Sequence, residues 1–198
     1  MTMGAYRNGK IDNVVPASDG AGEVEAVGKG VLRFKKGDRV LTLFNQGHIE
    51  GLIDERETAT DLGGMLHGTL REYGAFHEQG LVHMPPSLTF QQGATLPCAA
   101  LTAYNALFGL VGRQLGGGHW VLTQGTGGVS MFAFLFAKAI GARVIATTTS
   151  VEKGRTLREY GANSVLDFVG DKNWGETAMR VTNNEGVNHV VEVWVQRL

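Results

Sequence analysis

His119-Trp-Val-Leu-Thr-Gln-Gly-Thr-Gly-Gly-Val-Ser130, with its continuation to Ser150, decides the fold. A short apolar run ends in the glycines Gly125, Gly127 and Gly128. An almost uniformly apolar stretch, Val129 to Ile140, follows, and then a second apolar run, Arg143 to Thr147. The pattern is strand, glycine turn, helix, strand: a βαβ unit. Gly125-Thr-Gly-Gly-Val-Ser130 fits G-x-G-x-x-S. Gly125 permits the tight turn from strand to helix, Gly127 lets a pyrophosphate approach the backbone, and Ser130 is small enough for the helix to pack on the strand. The free N–H groups that open the helix favour an anion. Gly125, Thr126, Gly127, Gly128, Val129 and Ser130 are therefore the candidate dinucleotide-binding residues.

The tip of the second strand points to the cofactor. A site for NAD ordinarily places a carboxylate there, to accept from the ribose 2′-hydroxyl. This chain has Ala146-Thr-Thr-Thr-Ser150, then Lys153 and Arg155, with Glu152 already in the next helix. Hydroxyls and a cation suit a 2′-phosphate. Thr148, Thr149, Ser150 and Lys153 join the candidate residues, and NADP(H) is expected rather than NAD(H).

Working outward, the C-terminal half alternates strand and helix: strand 119–123, helix 127–141, strand 143–147, helix 151–160, strand 164–167, helix 174–181 and strand 187–193. Such a run predicts a parallel sheet with right-handed crossovers. The N-terminal half is strand-rich. Val14 to Gly28 reads as a strand bent at Gly20 and Gly22, and Arg39 to Phe44 as a second strand after the Lys36-Gly37-Asp38 turn. Asn45 to Gly68 reads as a long loop with one helical turn near Asp54 to Thr58. Thr69–His77 and Leu81–Met84 read as two further strands, stopped by Pro85-Pro86. Ser87 is the expected N-cap of a short helix, and Cys98 to Gly109 a second, mostly apolar helix. The change of period near Leu96 divides the chain into 1–96 and 97–198.

The bulk numbers exclude several classes. With 19% charged residues and 43% hydrophobic ones, the chain can build a core. A net charge of −1 gives no electrostatic reason to expect nucleic acid. The longest apolar helix pattern carries Lys138 and is too short to cross a bilayer, so no membrane partner is expected. The N-terminus lacks an apolar signal core, which points to the cytoplasm. The single cysteine, Cys98, excludes an internal disulfide and any multi-cysteine zinc site.

Taken together the motifs resemble the medium-chain dehydrogenase/reductase superfamily, in its zinc-independent quinone oxidoreductase-like and enoyl reductase-like branch. Pro16-Ala-Ser-Asp-Gly-Ala-Gly-Glu-Val24 looks like the barrel signature, and Phe34-Lys-Lys-Gly-Asp-Arg-Val40 like the G-D-R-V strand. Ala94-Thr-Leu-Pro-Cys-Ala-Ala-Leu-Thr-Ala-Tyr104 looks like the inter-domain helix, and Gly186-Val-Asn-His-Val-Val-Glu192 completes the order. The resemblance implies a partial GroES-like β-barrel followed by a partial Rossmann domain. It implies an NADPH-dependent oxidoreductase that passes hydride to a small electron-poor substrate: a quinone, an enone or an enoyl group. Ser18, Asp19 and Thr102 would orient the substrate or the nicotinamide carboxamide, and Phe168 would stack near the adenosine. Tyr104 and His48 are possible proton donors. Zinc-using relatives carry a His-Glu pair where this chain has Ser18-Asp19. Cys98 sits where one zinc ligand stands in them, and one thiolate does not make a three-ligand site, so no zinc is expected and Cys98 reads as a small buried hydrophobe. The family's first barrel strands and last nucleotide-domain strands have no counterpart here. The alternative is therefore a truncated, catalytically weak or inactive relative that acts at most as an NADPH-binding or protein-interaction module. The open edge of strand 187–193 suits a homo-oligomer or pairing with a full-length relative.

Overall fold

The computed structural model describes residues 11–193. The chain forms two compact units, residues 1–98 and 99–198.

In the first unit β1 (Ala21–Glu23), β2 (Arg39–Thr42) and β3 (Leu81–His83) form an antiparallel sheet in that order. Gly22 faces Val40, and Leu41 faces Val82. The strand expected from Val14 to Gly28 shrinks to three residues. Pro16 offers no N–H, and Ala17 adopts φ +71°, a left-handed turn no strand can carry. The strand expected over Thr69–His77 does not form. Its first residues bond to that kinked segment, Thr69 N–H to the Ala17 carbonyl (2.8 Å) and Leu70 N–H to the Pro16 carbonyl (3.1 Å). Arg71 N–H then turns back to the Thr69 carbonyl, so no ladder extends. Phe34, Val40 and Leu81 make the small core of this sheet, with Val24, Val31 and Phe76 against it.

The helical turn in the long loop is α1 (Glu55–Thr58), closed by a capping box between Asp54 and Glu57. The next helix, α2 (Phe90–Gly93), is capped by Thr89 and not by Ser87, because Gln92 stands three residues after Thr89 and completes the reciprocal box. Leu96–Ala100 is a π-helical turn that runs into α3 (Leu101–Phe108). The single helix expected over 98–109 is thus two winding types. Pro97, with no N–H to donate, falls in the opening turn, where that loss is tolerated.

The second unit is built on β4 (Trp120–Thr123), β5 (Arg143–Thr147), β6 (Ser164–Leu166) and β7 (His189–Val191). They form a parallel sheet in the order β6-β5-β4-β7. Helices α4 (Gly128–Ala139), α5 (Val151–Glu159) and α6 (Trp174–Val181) cross between strands. Side chains alternate across the sheet. Val121, Val144, Ala146 and Val191 pack against Ala103 and Leu107 of α3, Phe134 and Ala137 of α4 and Leu157 of α5. Trp120, Leu122, Ile145 and Leu166 face Ala178 of α6, with Trp174 and Val181 beside it. Burial on both faces explains why these strands read as continuous apolar runs. Reversal of strand order between β5-β6 and β7 places the switch point at the carboxyl end of β4.

Candidate functional site

The glycine turn lies at that switch point. Gly125 takes φ +76°, which a side chain would strain, and carries the chain off β4. Its N–H donates to Thr147 Oγ1 (3.1 Å), at the end of β5. Ser130 is buried, and its hydroxyl donates to the Gln124 carbonyl (2.7 Å), tying α4 back to the strand end. Gln124 N–H in turn donates to the Val191 carbonyl of β7 (3.0 Å). Gly127 is the N-cap of α4, with no side chain capping the helix. The N–H groups of the first turn have no partner within the helix, and a Cβ on Gly127 would meet no atom within 4 Å. The turn therefore presents unpaired donors to open space at the positive end of a twelve-residue helix.

At the β5 tip, Thr147 is fully buried and Thr148 nearly so, while Thr149 is exposed. Thr148 Oγ1 accepts from Ser150 N–H (3.1 Å). Ser150 is the N-cap of α5, its hydroxyl accepting from Lys153 N–H (3.2 Å). Both hydroxyls keep a proton to donate. Lys153 and Arg155 are exposed and, among the described residues, have no salt-bridge partner. Gly154 is buried against Val165 and Thr148, which seats α5 over the strand tips. Phe168 follows the carboxyl end of β6 and is 42% exposed. It rides on a turn that Asp167 organises by accepting from Val169 and Gly170 N–H, both at 3.0 Å. Those two bonds hold the Asp167 carboxyl below the usual carboxylate range.

Thr102 is exposed in α3, three residues after Ala99, whose Cβ lies 3.2 Å from where a Gly128 Cβ would stand. Gly125–Ser130, the β5 tip and Phe168 thus gather at one edge of the sheet, at the ends of β4, β5 and β6. Thr147 lies in the Ala146-Thr-Thr-Thr-Ser150 run but is not among the candidate residues that run suggests. A hydroxyl at the last position of β5 carries no motif, and only the parallel register of β4 and β5 brings it to Gly125.

In the first unit Ser18 and Asp19 form a bonded pair. Ser18 Oγ donates to Asp19 Oδ1 (2.6 Å), and Asp19 Oδ2 accepts from the Cys98 N–H (3.2 Å). Threonines brace the pair from behind: Thr42 Oγ1 donates to the Ser18 carbonyl (2.9 Å) and Thr69 Oγ1 to the Asp19 carbonyl (3.1 Å). Gly68 is pressed against the Pro16 and Ala17 carbonyls, leaving no room for a side chain. Cys98 is exposed, which corrects its reading as a buried hydrophobe: the π-helical turn points position 98 outward. Local burial of the sulfur, and then the Asp19 carboxylate, push its thiol above the ordinary range. Among the described residues no three His, Cys, Asp or Glu side chains come close enough to hold a metal ion. His48 pairs instead with Glu57 (3.1 Å), and Tyr104 packs on Phe108 with ring centroids 5.0 Å apart.

A strand-rich unit followed by a parallel sheet with a glycine-turn edge defines a GroES-like domain joined to a Rossmann domain. The family model "Alcohol dehydrogenase GroES-like domain" matches residues 1–86, and "Zinc-binding dehydrogenase" matches residues 128–197. The chain is 43% identical, over 91% of its length and 52% of the relative's, to a zinc-type alcohol dehydrogenase-like protein of Schizosaccharomyces pombe. It is 37% identical to a quinone oxidoreductase of Pseudomonas aeruginosa, over 76% of this chain and 40% of that one. A Sinorhizobium meliloti 1021 structure described as an alcohol dehydrogenase superimposes with a TM-score of 0.84 at 41% identity, covering 92% of this chain and 53% of the other. The chain belongs to the medium-chain dehydrogenase/reductase superfamily. It spans about half the length of the curated relatives it matches.

Proposed function

We propose that the chain is an NADPH-dependent oxidoreductase acting on a small electron-poor substrate, a quinone, an enone or an enoyl group. The observation that carries this is the uncapped start of α4 at the bare face of Gly127, beside a β5 tip with three hydroxyls, Lys153 and no carboxylate. The turn's open face fits a pyrophosphate: Gly125 and Thr126 would shape the turn around it, and the unpaired N–H groups where Gly127, Gly128, Val129 and Ser130 open α4 would hold it. Thr148, Thr149 and Ser150 would donate to the 2′-phosphate and Lys153 would neutralise it. The exposed ring of Phe168 offers a stacking surface for adenine. When bound, reduced nicotinamide supplies a hydride to an electron-poor carbon. Ser18, Asp19 and Thr102 would orient substrate or carboxamide; the bonded Ser18–Asp19 pair supports a fixed orientation for that work.

The zinc named in the matching family description does not fit the donor set here. Both Asp19 oxygens are engaged by Ser18 and the Cys98 backbone, and among the described residues no group of three His, Cys, Asp or Glu forms around the thiol. This donor set supports the zinc-free reading, and no step is routed through a metal. The half-length match to the relatives favours a second reading, in which the chain binds NADPH or a protein partner with little turnover. Among the described residues β7 pairs on one side only and Val190 is exposed, which supports pairing of that edge with a second copy or a full-length relative.

Fluorescence titration with NADPH and NADH, followed by turnover of a simple quinone and an enone, tests both readings. Saturable binding with preference for NADPH and turnover supports the enzyme. Binding without turnover leaves the second reading, and no binding of either nucleotide overturns the enzyme and leaves only the protein-partner form of the second. Lys153→Ala should weaken NADPH about tenfold, the loss of one charged contact, and leave NADH unchanged. Equal loss for both refutes the phosphate role.

A further inference from the structure

We infer that Thr147 is a positioning residue for the glycine turn: its buried hydroxyl fixes the Gly125 amide and so decides which backbone donors are left for the cofactor. The inference rests on the dinucleotide reading above and adds to it a residue that contacts the turn and not the ligand. Thr147 is fully buried at the carboxyl end of β5, twenty-two positions from Gly125 in sequence. Its Oγ1 accepts the Gly125 N–H at 3.1 Å. Gly125 is the residue whose left-handed backbone, φ +76°, turns the chain from β4 toward α4. A residue in that conformation without a fixed amide has neighbouring backbone states open to it, because glycine itself restricts nothing.

Three ties converge on this turn. Val191 of β7 receives the Gln124 amide, Ser130 of α4 bonds the Gln124 carbonyl, and Thr147 of β5 receives the Gly125 amide. The first two fix Gln124; only the third fixes Gly125. With its N–H turned inward to Thr147, Gly125 is withdrawn from the anion-binding set. The donors left for a pyrophosphate are those of the first turn of α4, which follow Gly127. A valine at 147 matches threonine in shape but offers no acceptor, so the Gly125 N–H would be freed and the turn loosened.

The test uses the full chain and four proteins: wild type, Thr147→Val, Thr147→Ala and Thr147→Ser. Dissociation constants for NADPH, NADH and adenosine 2′-phosphate, which lacks the pyrophosphate, are measured by fluorescence competition and calorimetry. Thermal midpoints are recorded beside them. Thr147→Val should weaken NADPH and NADH alike by about fivefold, the equivalent of one neutral hydrogen bond, leave adenosine 2′-phosphate unchanged, and be rescued by Thr147→Ser. If the valine variant does not fold, the alanine and serine variants differ by the hydroxyl alone and give the same contrast. Equal NADPH affinity with and without the hydroxyl overturns the inference, as does a serine variant no tighter than valine or alanine. A loss for adenosine 2′-phosphate as large as that for NADPH overturns it too, since the effect would then lie at the strand tip. Failure of wild type to bind either dinucleotide overturns the underlying reading, a result distinct from these.

Discussion

Gly125 and Gly127 stand two positions apart in one motif and owe their glycine to different causes. Gly125 lies at φ +76° with open space around its absent Cβ, so alanine there is opposed by backbone strain alone. Gly127 lies at φ −74°, ψ 172°, which any residue adopts, and also has open space. Gly125→Ala should therefore lower stability by about 1 kcal/mol. Gly127→Ala should lower stability by only about 0.5 kcal/mol, the N-cap preference for glycine over alanine, while weakening NADPH about tenfold, because its methyl would occupy the pyrophosphate's approach. A thermal-shift series with and without NADPH separates the two; unchanged binding in Gly127→Ala would remove the pyrophosphate from this turn. The exposed Cys98 offers a second residue-scale test. Burial and the neighbouring Asp19 hold its thiol above the ordinary range, so alkylation at neutral pH should be slow and should accelerate as pH rises through the raised value. Asp19→Asn removes the repelling charge, lowers the thiol's pKa and should speed alkylation at fixed pH. An unchanged rate would mean that Asp19 does not face the sulfur.

At the scale of elements, periodicity was a good guide where burial was two-sided and a poor one where a single residue breaks a pattern. The helix over Trp174–Val181 and the strand over Arg143–Thr147 form at the boundaries the sequence implies, since apolar faces and flanking turns agree there. The strand expected at Thr69–His77 fails on contacts fifty residues away, at the left-handed Ala17, which no local pattern announces. The choice of Thr89 over Ser87 was legible in principle, because only Thr89 has a glutamine three positions on. Thr89→Ala should cost about 1 kcal/mol of the first unit's stability, and Ser87→Ala almost none. Urea unfolding followed by a probe in that unit checks this, and equal losses would show that the serine shares the cap. The site divides the same way. The glycines and the hydroxyl-rich strand tip are contiguous in sequence and were legible. Thr147 behind Gly125, and Thr42 and Thr69 behind Ser18–Asp19, act through tertiary register and were not.

Over the whole molecule, cofactor binding should be visible as an uneven change in stability. Binding to the native state alone multiplies protection by about 1 + [L]/Kd, so NADPH at a hundred times its Kd should raise protection about 100-fold. That gain reaches only amides whose exchange requires an opening that releases the cofactor. In the second unit these are the amides of β4, α4 and β5, which share the buried core around Val121, Phe134 and Val144 and carry the glycine turn at their edge. The short β7, paired only to β4 among the described residues, should exchange faster and gain less. Amide exchange measured with and without NADPH also reports on the first unit. A rise that extends to Gly20 and Cys98, whose amides bond Thr42 and Asp19, would show that the Ser18–Asp19 pair tightens when cofactor binds. A rise confined to α4 and β5 would limit binding to the pyrophosphate and 2′-phosphate contacts and remove Ser18 and Asp19 from the cofactor's reach. No rise in β4, α4 or β5 would leave the glycine turn as a structural relic of the family, because a ligand held at that edge cannot avoid stabilising the elements that form it.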